Sequence, residues 1–206
     1  TASTVTVEEG ASLTANGSNG SGGTIVVWSD EATLFAGAIS ATGKGDGATG
    51  GFAEVSGKQV LDYTGTADLR SEGGSFGTLL LDPYNLTIST GSTSNVSGFA
   101  ATGNNSVLNV TTLTNALATA NVTVSTGSGT SPGTQAGDIT VAAPISWSAN
   151  SILTLSAAGA VNINSDITAT GDSAGLALTF GASRYNLNDG ARVTLSGADA
   201  SLSING

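Results

Sequence analysis

The sequence predicts an all-β protein, a right-handed parallel β-helix (β-solenoid) with one short helix near its middle. Three observations predict it: short strand-like runs recur every 22 to 28 residues, each run alternates apolar with small polar residues, and glycine clusters separate the runs. Spacings of that size are the signature of stacked repeats. Alternation is the period of a strand with one buried face. A strand this short buries that face only by lying on the next coil, about 4.8 Å away. Parallel crossover connections are right-handed, which sets the expected hand.

Strands are expected at 24–28, 52–56, 78–82, 139–141, 153–155, 161–163 and 176–180. Gly23-Thr24-Ile25-Val26-Val27-Trp28, Gly51-Phe52-Ala53-Glu54-Val55-Ser56 and Gly77-Thr78-Leu79-Leu80-Leu81-Asp82 start 28 and then 26 residues apart. A second strand accompanies each unit: Ala32 to Gly37 precedes Val60 to Gly65 by 28 residues. The second half repeats faster, Ile139-Thr140-Val141 matching Val161-Asn162-Ile163 at an offset of 22. Ile25, Leu80 and Ile163 represent the expected core. Glycine suits the corners because it accepts positive φ. An antiparallel sandwich would need matched strands around two-residue turns, and the Asn-Gly pairs at Asn16 and Asn205 do not sit between such strands.

The chain reads as one domain over 1–206: wide coils in 1–88, an irregular insertion in 89–137, and narrower coils in 138–206. Within the insertion, Leu113, Ala116, Leu117 and Ala120 follow helical spacing, so a helix is expected over 112–120 with Thr112 as its N-cap. It should cover one end or flank of the solenoid. Strand Val122-Thr123-Val124 and a loop to Gly137 follow.

Composition narrows the function. Fifteen acids against five bases give a net charge of −10, and Lys44, Lys58, Arg70, Arg184 and Arg192 are scattered. Nucleic acid and anionic membrane surfaces call for clustered cations, so neither is an expected partner. Residues 1–83 hold ten acids, whereas Tyr84 to Ala136 hold no charge at all. No apolar run approaches the length of a bilayer span, so no membrane insertion is expected. Cys, His and Met are absent, which removes disulfides, thiolate metal sites and Ser-His triads. No cofactor or metal is expected. Thr1 opens directly into strand-like sequence without a leader pattern, as in an internal or processed piece.

The order GGTIVVWSDEATLFAGAISATG, GGFAEVSGK, TGTADLRS, GTLLLDPYNLTIS, LTNALATANVTVSTG, GDITVAAPISW, LTLSAAGAVNI and ITATG resembles the internal β-helix region of large two-partner-secreted exoproteins of the filamentous-haemagglutinin family. The resemblance runs through nearly the whole chain. It implies a secreted protein of the Gram-negative cell surface, passed through an outer-membrane transporter. The family's amino-terminal secretion domain, with its Asn-Pro-Asn signatures, has no counterpart here; Asp82-Pro83-Tyr84-Asn85 is a different motif. The resemblance therefore implies a downstream stalk piece, and it carries over no ligand site.

The densest acidic group is Glu54, Asp62, Asp68 and Glu72, and stacking could bring Glu54 near Asp30 or Glu31. Paired carboxylates can cleave glycosides, with Lys58 and Arg70 as the nearby cations. A solvated row of acids explains the group more simply, so no catalytic residue is assigned and a polysaccharide-cleaving enzyme is a minor alternative. Gly43-Lys44-Gly45-Asp46-Gly47 does not recur in register and reads as a loop. Trp28, Phe35, Phe52, Tyr63, Phe76, Tyr84 and Phe99 are expected mostly inside the wider coils, and Trp147 is expected buried beside Ile145. Asp82-Pro83 reads as a turn.

The function expected is a non-catalytic structural subunit that stacks end to end on copies of itself into an extracellular filament or adhesive stalk. Its stacking edges would be Val5 and Val7 at one end and Leu202 and Ile204 at the other, since uncapped coil edges invite pairing. The alternative is an adhesin segment that binds a surface glycan or receptor through exposed loops.

Overall fold

The structure, a computed structural model, describes residues 2–93, 95–97, 100–101, 103–127, 135–181, 184–188 and 190–206. Each full coil visits three walls in turn. Strands β1 (Thr4–Val7) and β2 (Ser12–Thr14) begin the first coil. The next coils are β3 (Thr24–Ser29), β4 (Ala32–Phe35), β5 (Ala38–Ser40) and then β6 (Phe52–Gly57), β7 (Val60–Tyr63), β8 (Thr66–Asp68). The irregular coil comprises β9 (Thr78–Leu81), β10 (Asn85–Ser89), β11 (Val96–Ser97), β12 (Ala100–Ala101), β13 (Asn105–Asn109) and helix α1 (Val110–Leu117). Regular coils resume with β14 (Asn121–Thr126), β15 (Ile139–Val141), β16 (Ile145–Trp147), followed by β17 (Ile152–Ala157), β18 (Val161–Ile163), β19 (Ile167–Ala169). The last full coil is β20 (Gly175–Phe180), β21 (Tyr185–Leu187), β22 (Val193–Leu195), and β23 (Ser201–Ile204) lies beyond it.

One wall is unbroken: seven strands in the order β3-β6-β9-β14-β17-β20-β23, all parallel. Its two inward rows run in register through every coil. Ile25, Ala53, Leu79, Val122, Leu153, Leu176 and Leu202 form one row. Val27, Val55, Leu81, Val124, Leu155, Leu178 and Ile204 form the other. The parallel pairing rules out the sandwich; among the named strands only β11 and β12 pair antiparallel. Leu80 is a correction to the expected core. It faces outward opposite Glu54 and Thr123, while Leu79 and Leu81 are buried. Three consecutive leucines conceal the phase of the alternation, which the neighbouring coils determine.

The corners before this wall depend on glycine for space. A Cβ placed on Gly77 would overlap the carbonyl oxygen of Gly51, and one on Gly51 would overlap that of Gly23. Close approach between coils, more than left-handed φ, makes these corners glycine.

The other two walls are each broken in the middle, and the insertion repairs both. In the second wall, β1-β4-β7 is one sheet and β13-β10-β15-β18-β21 another. Strand β13 pairs with β10 in parallel and packs against β7 without a registered ladder to it. Side-chain hydroxyls take the place of that ladder. The buried Ser106 Oγ accepts a hydrogen bond from Leu61 N at 2.9 Å. Thr93 Oγ1 accepts from Val107 N at 2.9 Å and lies 3.3 Å from Leu61 O as a donor.

In the third wall, α1 stands between β2-β5-β8 and β16-β19-β22, packed against β8, β14 and β16. It runs from Val110 to Leu117, not over 112–120, and Asn109 caps it rather than Thr112. The Asn109 side chain accepts from Thr111 N at 2.8 Å. Asparagine is the stronger cap, and here the extended backbone of β13 delivers it directly to the first turn. Leu113, Ala116 and Leu117 are buried, as the spacing predicted, and the helix fills a flank and not an end. Its last carbonyl and the turn after it are met from both sides: Ser151 Oγ donates to Leu117 O at 2.6 Å, and Leu69 N donates to Thr119 O at 3.1 Å.

Two stability outcomes follow from these seams. Ser106→Ala leaves the Leu61 N–H buried without an acceptor, a loss expected to cost about 1–3 kcal/mol, read as a lower denaturant midpoint at unchanged slope. Leu113→Ala and Leu117→Ala should each cost about 2–5 kcal/mol. A doubly substituted chain that melts like the parent would show that α1 is not packed on the core.

Candidate functional site

Of the six exposed large apolar side chains among the described residues, Val26 and Ile152 stand on the outer face of the unbroken wall, and the other four lie where the inward rows run out. Leu202 is 53% and Leu187 50% exposed, and Tyr185 and Ile204 are exposed as well. Tyr185 and Leu187 sit one step beyond the buried Val161 and Ile163, and Leu202 and Ile204 one step beyond the buried Leu176 and Leu178. These four continue the inward rows into the last strands of the second and the unbroken wall. Strand β23 is nonetheless held at its far end. Asn205 adopts φ 53°, its Oδ1 accepts from Phe180 N at 3.0 Å, and its N–H donates to Leu178 O at 2.8 Å.

The opposite end is the counterpart. Val5 and Val7 lie one step before Thr33 and Phe35, and Leu13 one step before Ile39. With Ile25 they are only partly buried against the core. The four residues read as stacking edges therefore all sit at the ends, but on different walls. Val5 and Val7 belong to the second wall and Leu202 and Ile204 to the unbroken one. The head residues on the same wall as Leu202 and Ile204 are Ile25 and Val27. Short motifs reveal which residues are strand-like and not which wall they occupy.

The acidic group does not converge. Glu54 is on the unbroken wall, Asp62 on the second and Asp68 on the third, each in an outward row. Glu54 stacks in register with Val26 and Leu80 rather than with Asp30 or Glu31, and it accepts a hydrogen bond from Ser56 Oγ at 2.9 Å. The turn holding Asp30 and Glu31 lies instead under Lys58 and Gln59, with Gln59 N donating to Glu31 O at 2.9 Å. Arg70 is engaged locally: its guanidinium donates to both Asp68 oxygens, at 2.9 and 2.6 Å. That contact lowers the Asp68 carboxyl below its ordinary value. Burial raises the Asp62 carboxyl above its own. No group of three or more Asp or Glu suited to a metal ion occurs among the described residues.

Aromatic placement divides. Phe35 and Tyr63 are buried and stacked, with ring centroids 5.6 Å apart. The Tyr63 hydroxyl has no hydrogen-bond partner among the described residues, and burial pushes its pKa up. Trp147 is buried beside Ile145. Trp28 and Phe52 are half-buried and, by alternation with Val27 and Ala53, sit on the outer face, against expectation. Phe76 and Tyr84 are half-buried, and Phe99 lies outside the described residues. Phe52 and Phe76 border a shallow groove of about 400 Å³ floored by the corner glycines and edged by Thr24, Thr49, Ser75 and Thr78. Asp82 and Pro83 are buried in the short connection between β9 and β10.

No family model, curated protein or solved structure matches the chain.

Asp62 supplies a test of this electrostatic picture. Its folded carboxyl binds a proton more tightly than an unfolded one. Its charge therefore opposes folding above the folded pKa, and the penalty fades as pH falls through that value. Asp62→Asn should raise the melting temperature at pH 7 and lose that advantage near pH 3. Equal effects at both pH values would contradict a desolvated Asp62.

Proposed function

We propose that this chain is a non-catalytic structural solenoid, a rod segment that stacks end to end into an extracellular filament or stalk. The observation that carries the reading is the unbroken parallel wall, whose two inward rows run in register from β3 to β23. Stacked repeats of this kind contact only their neighbours, and an open parallel edge is a template for another strand. Secretion to a Gram-negative cell surface through an outer-membrane transporter is part of the proposal and rests on the sequence resemblance to filamentous-haemagglutinin exoproteins.

A second reading, display of a surface for a glycan or receptor, is favoured by one feature. The groove between Phe52 and Phe76 is edged by hydroxyls and carries no charged residue. Rings and hydroxyls suit a neutral sugar better than an anionic one.

Light scattering and negative-stain imaging test the stacking. Ten net negative charges oppose association, and salt screens them beyond about 10 Å at 0.1 M. Particle length should therefore rise with ionic strength and with protein concentration. A variant carrying Val5→Lys and Ile204→Lys should stay short while keeping its circular-dichroism spectrum. A parent chain that remains monomeric at high concentration in both low and moderate salt would overturn end-to-end stacking and leave the display reading.

A further inference from the structure

We infer that the outer face of β3, β6 and β9 binds a neutral oligosaccharide, with Phe52 and Trp28 against its sugar rings and Glu54 accepting from its hydroxyls. The inference rests on the display reading above and adds the residues on the open sheet that sort ligands by charge.

Strand register gathers these side chains. Glu54 on β6 lies opposite Val26 on β3 and Leu80 on β9. Phe52 stands two residues before Glu54 on the same strand, and Trp28 stands opposite Ser56, two residues after it. By alternation all five point away from the solenoid axis, so a coil laid beside β3 would lie next to them and not over them. At strand spacings the Phe52 and Trp28 Cα atoms are roughly 14 Å apart with Glu54 between them, a span that suits an oligosaccharide better than a single sugar. Later coils lack this surface. Across β14, β17 and β20 the level of Glu54 holds Thr123, Thr154 and Ala177, and the level of Trp28 holds Ser125, Ser156 and Thr179. Ile152 is the one large apolar side chain on the outer face of those three strands. The cluster of rings and aliphatic side chains around a carboxylate is thus confined to β3, β6 and β9.

Charge selects the ligand class. None of the three strands contains Lys or Arg, and the cation nearest Glu54 along the chain, Lys58, belongs to the turn after β6. Ser56 Oγ donates to Glu54 at 2.9 Å, which steadies the carboxylate and fills one of its roughly four acceptor positions. A carboxylate accepts from sugar hydroxyls and repels sulfate or carboxylate groups on a ligand. An apolar protein face laid on this cluster would bury the Glu54 charge without supplying donors, a costly step. A neutral sugar brings both apolar C–H faces for the rings and hydroxyl donors for the acid. At the Phe52 end, Thr24 and Thr78 flank the ring in register and lead into the uncharged groove that Phe76 borders, which lengthens the same neutral surface.

The two tryptophans make the site readable. Trp147 is buried, its indole N–H donating to Ser151 O at 3.2 Å, so acrylamide quenches chiefly Trp28. Cello-, manno- and galacto-oligosaccharides serve as neutral probes, and heparin and polysialic-acid oligosaccharides as anionic ones. At least one neutral series should protect Trp28 from quenching saturably and more tightly as the oligosaccharide lengthens, with little change between low and moderate salt. Phe52→Ala and Glu54→Ala should each weaken that binding about tenfold, read by titration calorimetry, with the circular-dichroism spectrum unchanged. Glu54→Gln, which keeps an acceptor and removes the charge, should weaken it less and reduce the bias against the anionic probes. Thr154→Ala, in the same outward row beyond the cluster, should leave binding as it is. A neutral sugar that binds the parent, Phe52→Ala and Glu54→Ala equally would overturn this site and leave the display reading standing, as would a preference for the anionic probes. If no probe of either kind binds, the display of a glycan surface fails with it.

Discussion

The parallel backbone ladder between successive coils is the interaction on which everything else in this molecule depends. Strands of two to six residues bury too little to persist singly. In this chain each strand acquires its buried face from the strand one coil away, as the unbroken rows from Ile25 to Leu202 and from Val27 to Ile204 show. The same requirement explains the corners. Coils stacked at strand spacing leave no room for a methyl group on Gly51 or Gly77, which lie against the carbonyls of Gly23 and Gly51. It lets polar side chains on the outer face stack on their own kind, as in the Asn186-to-Asn162 side-chain hydrogen bond of 2.6 Å.

A ladder of this kind tolerates irregularity in two walls provided the third stays in step. The insertion after β10 displaces the second wall by a whole strand and replaces a strand of the third by a helix, yet β9 and β14 pair in register across it. What the broken walls lose in ladder bonds returns through hydroxyls: Ser106 and Thr93 at one seam, Ser151 and Thr119 at the other. A seam closed by Ser and Thr needs no charge, which fits the absence of any Asp, Glu, Lys or Arg from Tyr84 to Ala136. A charged group at a buried joint would cost far more than a hydroxyl that finds one partner.

The fold was legible because its cause is periodic. Repeats place one strand over another, so an offset of 28 between Ile25 and Ala53 is itself a contact, and the strand positions read from the sequence agree with those in the structure. Phase was legible only where alternation was strict, which is why Ile163 was placed in the core and Leu80 misplaced. The helix was visible in Leu113 and Leu117, but its true cap lay at the end of a strand, where Asn109 reads equally well as a turn residue. The end surfaces were visible as residues and not as geometry. Val5 and Leu202 both look like strand termini, and only the count of walls visited by each coil shows that they do not face one another. The acidic group failed for a related reason: Glu54, Asp62 and Asp68 are neighbours in sequence, but three walls in one coil separate them.

A structure whose stability passes from coil to coil is weakest at its ends. Interior strands have neighbours on both sides, whereas β1 and β23 have one, and opening of such units costs less than global unfolding. The residues that would stabilise the end coils are the same ones left exposed: Tyr185, Leu187, Leu202 and Ile204. Covering them adds apolar burial of about 25 cal/mol per Å² without new folding, because the partner strands are already formed. Any partner that binds only the folded end coil raises its apparent stability through mass action. Under the stacking proposed above, association and stability would be linked through one surface. The net negative charge would then oppose the contact that holds the last coils closed, and ionic strength would act on both at once.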